Sequence, residues 1–284
     1  MTRVIALIDG SIYSTSVCEH AAWAARRIGA SVELLHVIGS HDGGDDAADR
    51  SGAIGLGARS ALLAELAELD GKRAKLAQQR GRLILDDAKA RVEAGGVAEV
   101  TTRLRRGDVA DAVQGLDDDT RVVILGKRGE AADFARGHLG SNTERVVRAC
   151  NRPVLAAARA FTPPTRCMIA FDGGTSAVKA VEMAARSPFF ADLDIHVLSV
   201  GPDTAETRKR LDGAAATLSG AGRAATAHLT QGQPEEAIAA FVDSLKINLL
   251  VMGAYGHSRI RSLIIGSTTT EMVRSCKAPV LLFR

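Results

Sequence analysis

Apolar and polar positions along this chain alternate between two patterns. Short, unbroken apolar runs, such as residues 3–8 and 32–38, suit strands buried on both faces of a parallel sheet. Between them apolar residues recur at helical spacing. Val17, Ala21, Ala24 and Ile28 fall on one face, which predicts a helix over about 14–28 closed by Gly29-Ala30. Strand, helix and strand with so short a return imply a right-handed parallel crossover. A third strand is predicted over 97–103, ending before Arg106-Gly107-Asp108. There Asp108 is placed to cap a helix carrying Val109, Ala112 and Val113.

The same pattern then occurs a second time. Val4-Ile5-Ala6-Leu7-Ile8-Asp9-Gly10 parallels Cys167-Met168-Ile169-Ala170-Phe171-Asp172-Gly173. Val122-Val123-Ile124-Leu125-Gly126 parallels Leu249-Leu250-Val251-Met252-Gly253, and Arg152-Pro153-Val154-Leu155 parallels Ala278-Pro279-Val280-Leu281. Each copy reads βαβαβαβαβ, with last strands at 154–157 and 280–283. The expected fold is α/β: two tandem Rossmann-like, doubly wound domains related by a pseudo-two-fold, each a five-stranded parallel sheet flanked by helices. The expected domains are 1–159 and 167–284, joined by a linker over 160–166 that contains Pro163-Pro164.

The first copy carries a helical insertion over about 40–75. Residues 40–57 are rich in Gly and Asp and read as a loop. Leu62, Leu63, Leu66 and Leu69 follow as a helical stripe, which the pattern ends near Asp70-Gly71, and a separate basic helix is expected over 72–93. A lid, a partner surface and a solvated decoration all fit such an insertion.

Composition narrows the classes of function. The 284 residues include 46% hydrophobic and 24% charged positions, as in a globular protein, and suffice for two domains. A net charge of +3 with 4% aromatic residues argues against a nucleic-acid partner. Cys18, Cys150, Cys167 and Cys276 show no zinc spacing and are expected to be buried structural thiols, with Cys150 and Cys276 on the helix before each final strand. The chain enters its first strand without a signal peptide and has no apolar run long enough to span a membrane, so a cytoplasmic protein is expected.

The candidate chemistry lies where the fourth strand of each copy ends. Gly253 and Gly256 suit an anion-cradling loop, and Ser267-Thr268-Thr269 offers hydroxyls at a helix start, where unpaired N–H groups and the positive end of the helix dipole favour phosphate. Asp9 and Asp172 end the first strands. If first and fourth strands are neighbours, one crevice receives a carboxylate on one side and N–H donors on the other, an arrangement shaped for a nucleotide. The alternative at each position is simple turn chemistry.

On these residues the whole chain resembles a tandem universal stress protein. Nucleotide-binding members of that family carry Gly, two residues, Gly, nine residues, then Gly and Ser or Thr, and Gly253, Gly256, Gly266 and Ser267 keep that spacing. The resemblance implies ATP or ADP with Mg²⁺ as ligand. Asp172 would contact the adenosine part, Val200 would line the adenine pocket, Gly253, Gly256 and Gly266 would supply N–H groups, and Ser267 and Thr268 hydroxyls. It implies a stress-response regulator with its main site in the second copy. The alternative is a nucleotide-free interaction module or a small-molecule or lipid binder on the same fold.

The first copy departs from the motif. Ten residues separate Gly129 from Gly140, and Asn142 replaces the second hydroxyl. Asp9, Gly126, Gly129, Gly140 and Ser141 are therefore candidates for an altered site, where Lys127 and Arg128 either compensate electrostatically or are ordinary exposed charges. No P-loop, nucleophile elbow or zinc-protease motif is present, and no catalytic residues are assigned, so at most slow ATP hydrolysis is expected. Pairing of the two final strands would make the chain an intramolecular pseudo-dimer, and a further homodimer through the Leu62–Leu69 stripe is open.

Overall fold

A computed structural model describes residues 2–39, 56–128, 141–254 and 265–284. Its first half runs β1 (Arg3–Leu7), α1 (Ser14–Ile28), β2 (Ser31–Ile38), α2 (Leu56–Ala94), β3 (Val100–Arg106), α3 (Val109–Val113), β4 (Thr120–Gly126), α4 (Ser141–Ala149) and β5 (Val154–Ala157). The second half runs β6 (Arg166–Ala170), α5 (Thr175–Arg186), β7 (Asp194–Val200), α6 (Ala205–Gly220), β8 (Ala225–Thr230), α7 (Pro234–Ser244), β9 (Leu249–Gly253), α8 (Ser267–Ser275) and β10 (Val280–Phe283). The predicted alternation of strand and helix is thus seen in both copies.

All ten strands form one sheet in the order β3-β2-β1-β4-β5-β10-β9-β6-β7-β8. Within each half the pairing is parallel, and the halves meet through the antiparallel pair β5–β10, with Leu155 opposite Leu281 and Val154 opposite Leu282. The expected pairing of the two final strands is therefore present. Both strands are buried throughout, as central strands covered on two faces must be. One helical layer covers each face, over two apolar clusters that run across both halves. At the junction Trp23 of α1 meets Phe189 edge to face at 4.7 Å, in a 3₁₀ turn over Pro188–Phe190. Arg27 Nε donates to Phe189 O at 2.9 Å beside them.

Three boundaries differ from the sequence reading. Helix α2 is continuous through Asp70-Gly71 instead of breaking there. A lone helical Gly costs only about 1 kcal/mol relative to Ala, and no Pro enforces a stop. The Glu68–Lys72 ion pair at 2.7 Å bridges the position. Strand β3 starts at Val100, not Val97, because the end of α2 consumes the intervening residues: Gly96 is left-handed at φ 86° and Val97 N–H returns to Val92 O. Cys150 and Cys276 lie just past the ends of α4 and α8, and Cys276 is half-buried; all four thiols are free. The loop expected over 40–57 lies almost wholly outside the described residues.

One buried polar group ties α1 to the segment after β5. Ser16 Oγ donates to Ala158 O at 2.7 Å, and His20 Nδ1 lies 2.7 Å from Ser16 O, with its ring edge-on to Phe161. His20 is fully buried, its Nε2 has no protein partner, and burial pushes its pKa down to about 4. The unfolded chain therefore binds a proton that the native state refuses between about pH 6.5 and 4, and stability falls as pH is lowered through that window. Denaturant titrations should show a loss of about 3 kcal/mol there, and the slope should flatten in His20→Phe. Deleting residues 278–284 should expose the edge of β5 and give an aggregating or unfolded chain by light scattering, whereas a soluble, equally stable truncation would contradict the role given to β10.

Candidate functional site

The second half gathers its candidates at the carboxyl ends of three adjacent strands. Strand β6 pairs with β7 on one side and β9 on the other, so the topological switch point of this half lies between β6 and β9. Asp172 follows β6, Val200 ends β7 and Gly253 ends β9. Asp172 is exposed, and its Oδ1 accepts from Gly174 N at 2.8 Å, forming the turn that starts α5. Gly173 takes φ 75°, where a side chain would be strained. Val200 is half-buried.

The start of α8 is tied to the end of β9 by the chain itself. Gly266 N–H donates to Ala254 O at 3.2 Å, and Thr269 Oγ1 donates to Gly253 O at 2.9 Å. Gly266 is the residue preceding the helix, and no side chain caps it. The N–H groups of Ser267, Thr268 and Thr269 have no helical carbonyl four residues back and, with the helix dipole, form a donor set suited to an anion. Ser267 is exposed there. Thr268 is already engaged: its Oγ1 donates to Glu235 Oε1 at 2.6 Å and thereby holds that carboxyl below the usual carboxylate range. Gly256 lies outside the described residues.

Two residues at this site carry no sequence motif. Thr269 latches the helix start to the strand, and its only signal was its register with Thr143, whose Oγ1 donates to Gly126 O at 3.0 Å in the first half. Arg210 of α6 reaches the Asp172 turn, since a Cβ added at Gly173 would lie 3.4 Å from Arg210 Nη1. Arg210 also pairs with Glu206 one helical turn earlier.

The first half has the same scaffold with different contents. Asp9 Oδ1 accepts from Ser11 N at 2.9 Å and from Ser14 Oγ at 3.3 Å. Gly126 ends β4, the neighbour of β1, and Ser141 begins α4; Gly129 and Gly140 lie outside the described residues. Two side chains crowd this end of the sheet. A Cβ on Gly126 would sit 2.7 Å from Tyr13 Cβ, and one on Gly10 would sit 2.8 Å from Ile84 Cδ1 of α2. At the second site Ser176 replaces Tyr13, and Arg210 of α6 stands where Ile84 of α2 does, its Cδ 3.3 Å from a Cβ added at Gly173.

Lys127 corrects the sequence reading. It is neither an exposed charge nor aimed at the first crevice, but buried, with Nζ donating across the junction to Cys276 O at 2.5 Å and Ala278 O at 2.7 Å. These carbonyls follow the C-terminus of α8, so the ammonium meets the negative end of that helix. The antiparallel β5–β10 pair brings the exit of β4 beside the entry of β10, a proximity that no local spacing reveals. Burial lowers the Lys127 pKa to about 8. Below pH 8 both states are protonated; between about 8 and 10.5 only the unfolded chain keeps the proton, so stability rises with pH through that window. Wild type should gain about 3 kcal/mol over Lys127→Met across it in parallel denaturant titrations.

Comparison with known proteins places this architecture. The model of the universal stress protein family matches residues 1–157 and 202–284. A universal stress protein of Synechocystis sp. is 37% identical over 287 aligned positions, covering 100% of both chains. The crystal structure of a universal stress protein from Archaeoglobus fulgidus superposes with a TM-score of 0.72 at 20% identity, covering 99% of this chain and 98% of that one. A universal stress protein solved in complex with cAMP covers 43% of this chain and 97% of its own, at TM-score 0.37 and 24% identity, a likeness too partial to bear on this site.

Proposed function

This chain belongs to the universal stress protein family, and from that premise we propose that it is an ATP-binding stress-response regulator with its main nucleotide site in the second of two domains, 1–159 and 167–284. The observation that carries this reading is the convergence of Asp172, Val200, Gly253 and the start of α8 on one switch point. An adenine nucleotide needs a carboxylate for its ribose or amine, an apolar wall for its base and N–H donors for its phosphates. Asp172, Val200 and the backbone from Gly253 through Gly266 to Thr268 supply these in that order. Gly256, in the segment between, completes the phosphate loop in this reading. Arg210, beside the Asp172 turn, adds a cation that a triphosphate can recruit.

Mg²⁺ in this reading arrives with the nucleotide and is held by its phosphates. Among the described residues no group of three His, Cys, Asp or Glu side chains forms a metal cage, and no helix is long and apolar enough to cross a membrane. The protein acts in the cytoplasm by changing its contacts with partners, and hydrolysis of the bound nucleotide, if present, is slow. The weaker role of the first domain is supported by Tyr13, which occupies the space at Gly126 and is replaced by Ser176 in the second domain.

Calorimetry and thermal unfolding of the purified chain with Mg-ATP test the proposal. A ligand at about 100 times its Kd stabilises the native state by about 2.7 kcal/mol, so Tm should rise measurably at millimolar Mg-ATP. Gly266→Val should remove heat and shift together while leaving the fold intact by circular dichroism, and Gly140→Val should change them little. Absence of any response to Mg-ATP would leave a nucleotide-free interaction module as the better reading, and a co-purified ligand of another mass would point to a different small molecule. Equal losses in the two variants would contradict the assignment of the main site.

A further inference from the structure

The linker between the two halves lies in a groove, and the fold contains that groove twice. After β5 the chain crosses the amino ends of β10 and β9 to reach β6. Helix α1 and Asn248 hold it there. Ser16 Oγ donates to Ala158 O at 2.7 Å, and His20 meets Phe161 edge-on at 4.8 Å. Asn248 Oδ1 accepts from Thr165 N and Arg166 N, both at 2.9 Å, and its Nδ2 donates to Pro163 O at 3.4 Å. Phe161 is half-buried and Pro164 buried, so an extended stretch with two apolar anchors occupies this groove.

The strand order is the same from either end of the sheet, so an equivalent groove crosses the amino ends of β5 and β4. Lys179, Met183 and Arg121 stand there at the positions of Ser16, His20 and Asn248 in the repeat. Lys179 Nζ donates to Arg284 O at 3.0 Å, reproducing at the end of β10 the contact that Ser16 makes at the end of β5. Beside that contact the second groove is a cavity of about 580 Å³. Buried Val122 and Leu281 give it an apolar floor. Four cations line it, Arg121, Arg152, Lys179 and Arg186, against the single acid Glu182. Arg152 is paired with Asp118, but Arg121 and Arg186 are exposed and have no ion-pair partner among the described residues.

We propose that this second groove docks an extended acidic segment of a partner protein, with a large apolar side chain against Met183 and carboxylates on Arg121 and Arg186. The linker shows the form of the occupant, because the same wall in the other half already holds a peptide in that path. The exchanged residues set its chemistry. Ser16, His20 and Asn248 are neutral groups that suffice for a segment tethered at both ends, whose effective concentration is high. A segment from another molecule must bring stronger contacts. Met183 offers a flexible thioether that adapts to an apolar side chain, and Arg121 offers a fork that a carboxylate can accept from twice. None of these residues belongs to the candidate nucleotide site, so the groove works whether or not the chain binds ATP.

Fluorescence anisotropy of the full-length chain with a labelled peptide tests the proposal. The probe is Ala-Glu-Ala-Phe-Thr-Pro-Pro-Glu, the linker's sequence over 158–165 with carboxylates at its second and last positions. It should bind saturably with a Kd of about 100 µM. Arg121→Glu and Arg186→Glu should each weaken binding about tenfold or more. Lys75→Glu, an equal change of charge on α2, should leave it unchanged. Both arginines are exposed and unpaired, so the two variants should keep the circular dichroism and unfolding temperature of wild type. Replacing the peptide's Phe by Ala, or both its glutamates by lysines, should cost as much as either variant. No saturable binding up to about 1 mM peptide would overturn the proposal. Binding that Arg121→Glu and Arg186→Glu leave unchanged, or that the lysine peptide matches, would overturn it equally.

Discussion

The antiparallel pairing of β5 with β10 is the contact on which the rest of this structure depends. Three residue pairs join two five-stranded parallel sheets into one, and because they run in opposite directions the carboxyl ends of the two halves point to opposite edges. That single reversal fixes where ligands can bind. A doubly wound sheet offers its crevice at the carboxyl end, so the two candidate sites are held far apart on separate flanks. It also removes the most hazardous edges of the chain: Val154–Ala157 and Val280–Phe283 are wholly apolar and would template association if left open. The outer edges are treated differently. Strand β3 carries Arg103, Arg105 and Arg106 on exposed positions, a charge pattern that discourages further pairing.

The duplicated pattern made most of this architecture legible. Apolar runs flanked by glycine located the strands, and the repeat implied equivalent neighbours for β1 and β6. What could not be read were features set by tertiary proximity or by small energetic margins. Whether α2 stops at Asp70-Gly71 is a balance of about 1 kcal/mol for a helical glycine against one bridging ion pair and the cooperativity of a long helix. Whether Val97 begins a strand depends on how Gly95-Gly96 close α2, and there the left-handed glycine leads the chain back over the helix before β3 starts. Lys127 looked like a surface charge because the carbonyls that bind it lie about 150 residues later in the chain.

The two halves show how duplication permits divergence without loss of fold. Both retain the threonine latch, Thr143 to Gly126 and Thr269 to Gly253, and both tie their third and fourth helices together at the N-terminal ends. The first uses Asp108 with Arg145 and the second Glu235 with Thr268. These contacts stabilise the corner whatever it binds, so their presence in both halves says nothing about ligand. The differences are more informative. Tyr13 fills space at the end of β4, Lys127 turns from there into the junction, and apolar Ile84 stands where the second half has Arg210. The second half keeps small residues, Gly173, Gly174 and Ser176, at the matching positions.

Lys127 connects this divergence to the junction. Its counterpart in the repeat is Ala254, so the cross-junction contact is made once, not twice, and the pseudo-symmetry is broken where the halves meet. A buried ammonium is costly unless acceptors surround it, and here two carbonyls beyond the C-terminus of α8 provide them. The same helix has its N-terminus at the candidate nucleotide site, so Lys127 holds the far end of the element that would meet a nucleotide in the proposed reading. Any rigid-body shift of α8 on binding would have to stretch those two hydrogen bonds. In the reading proposed above, the first half thereby supplies a fixed point against which the second half's candidate site is held.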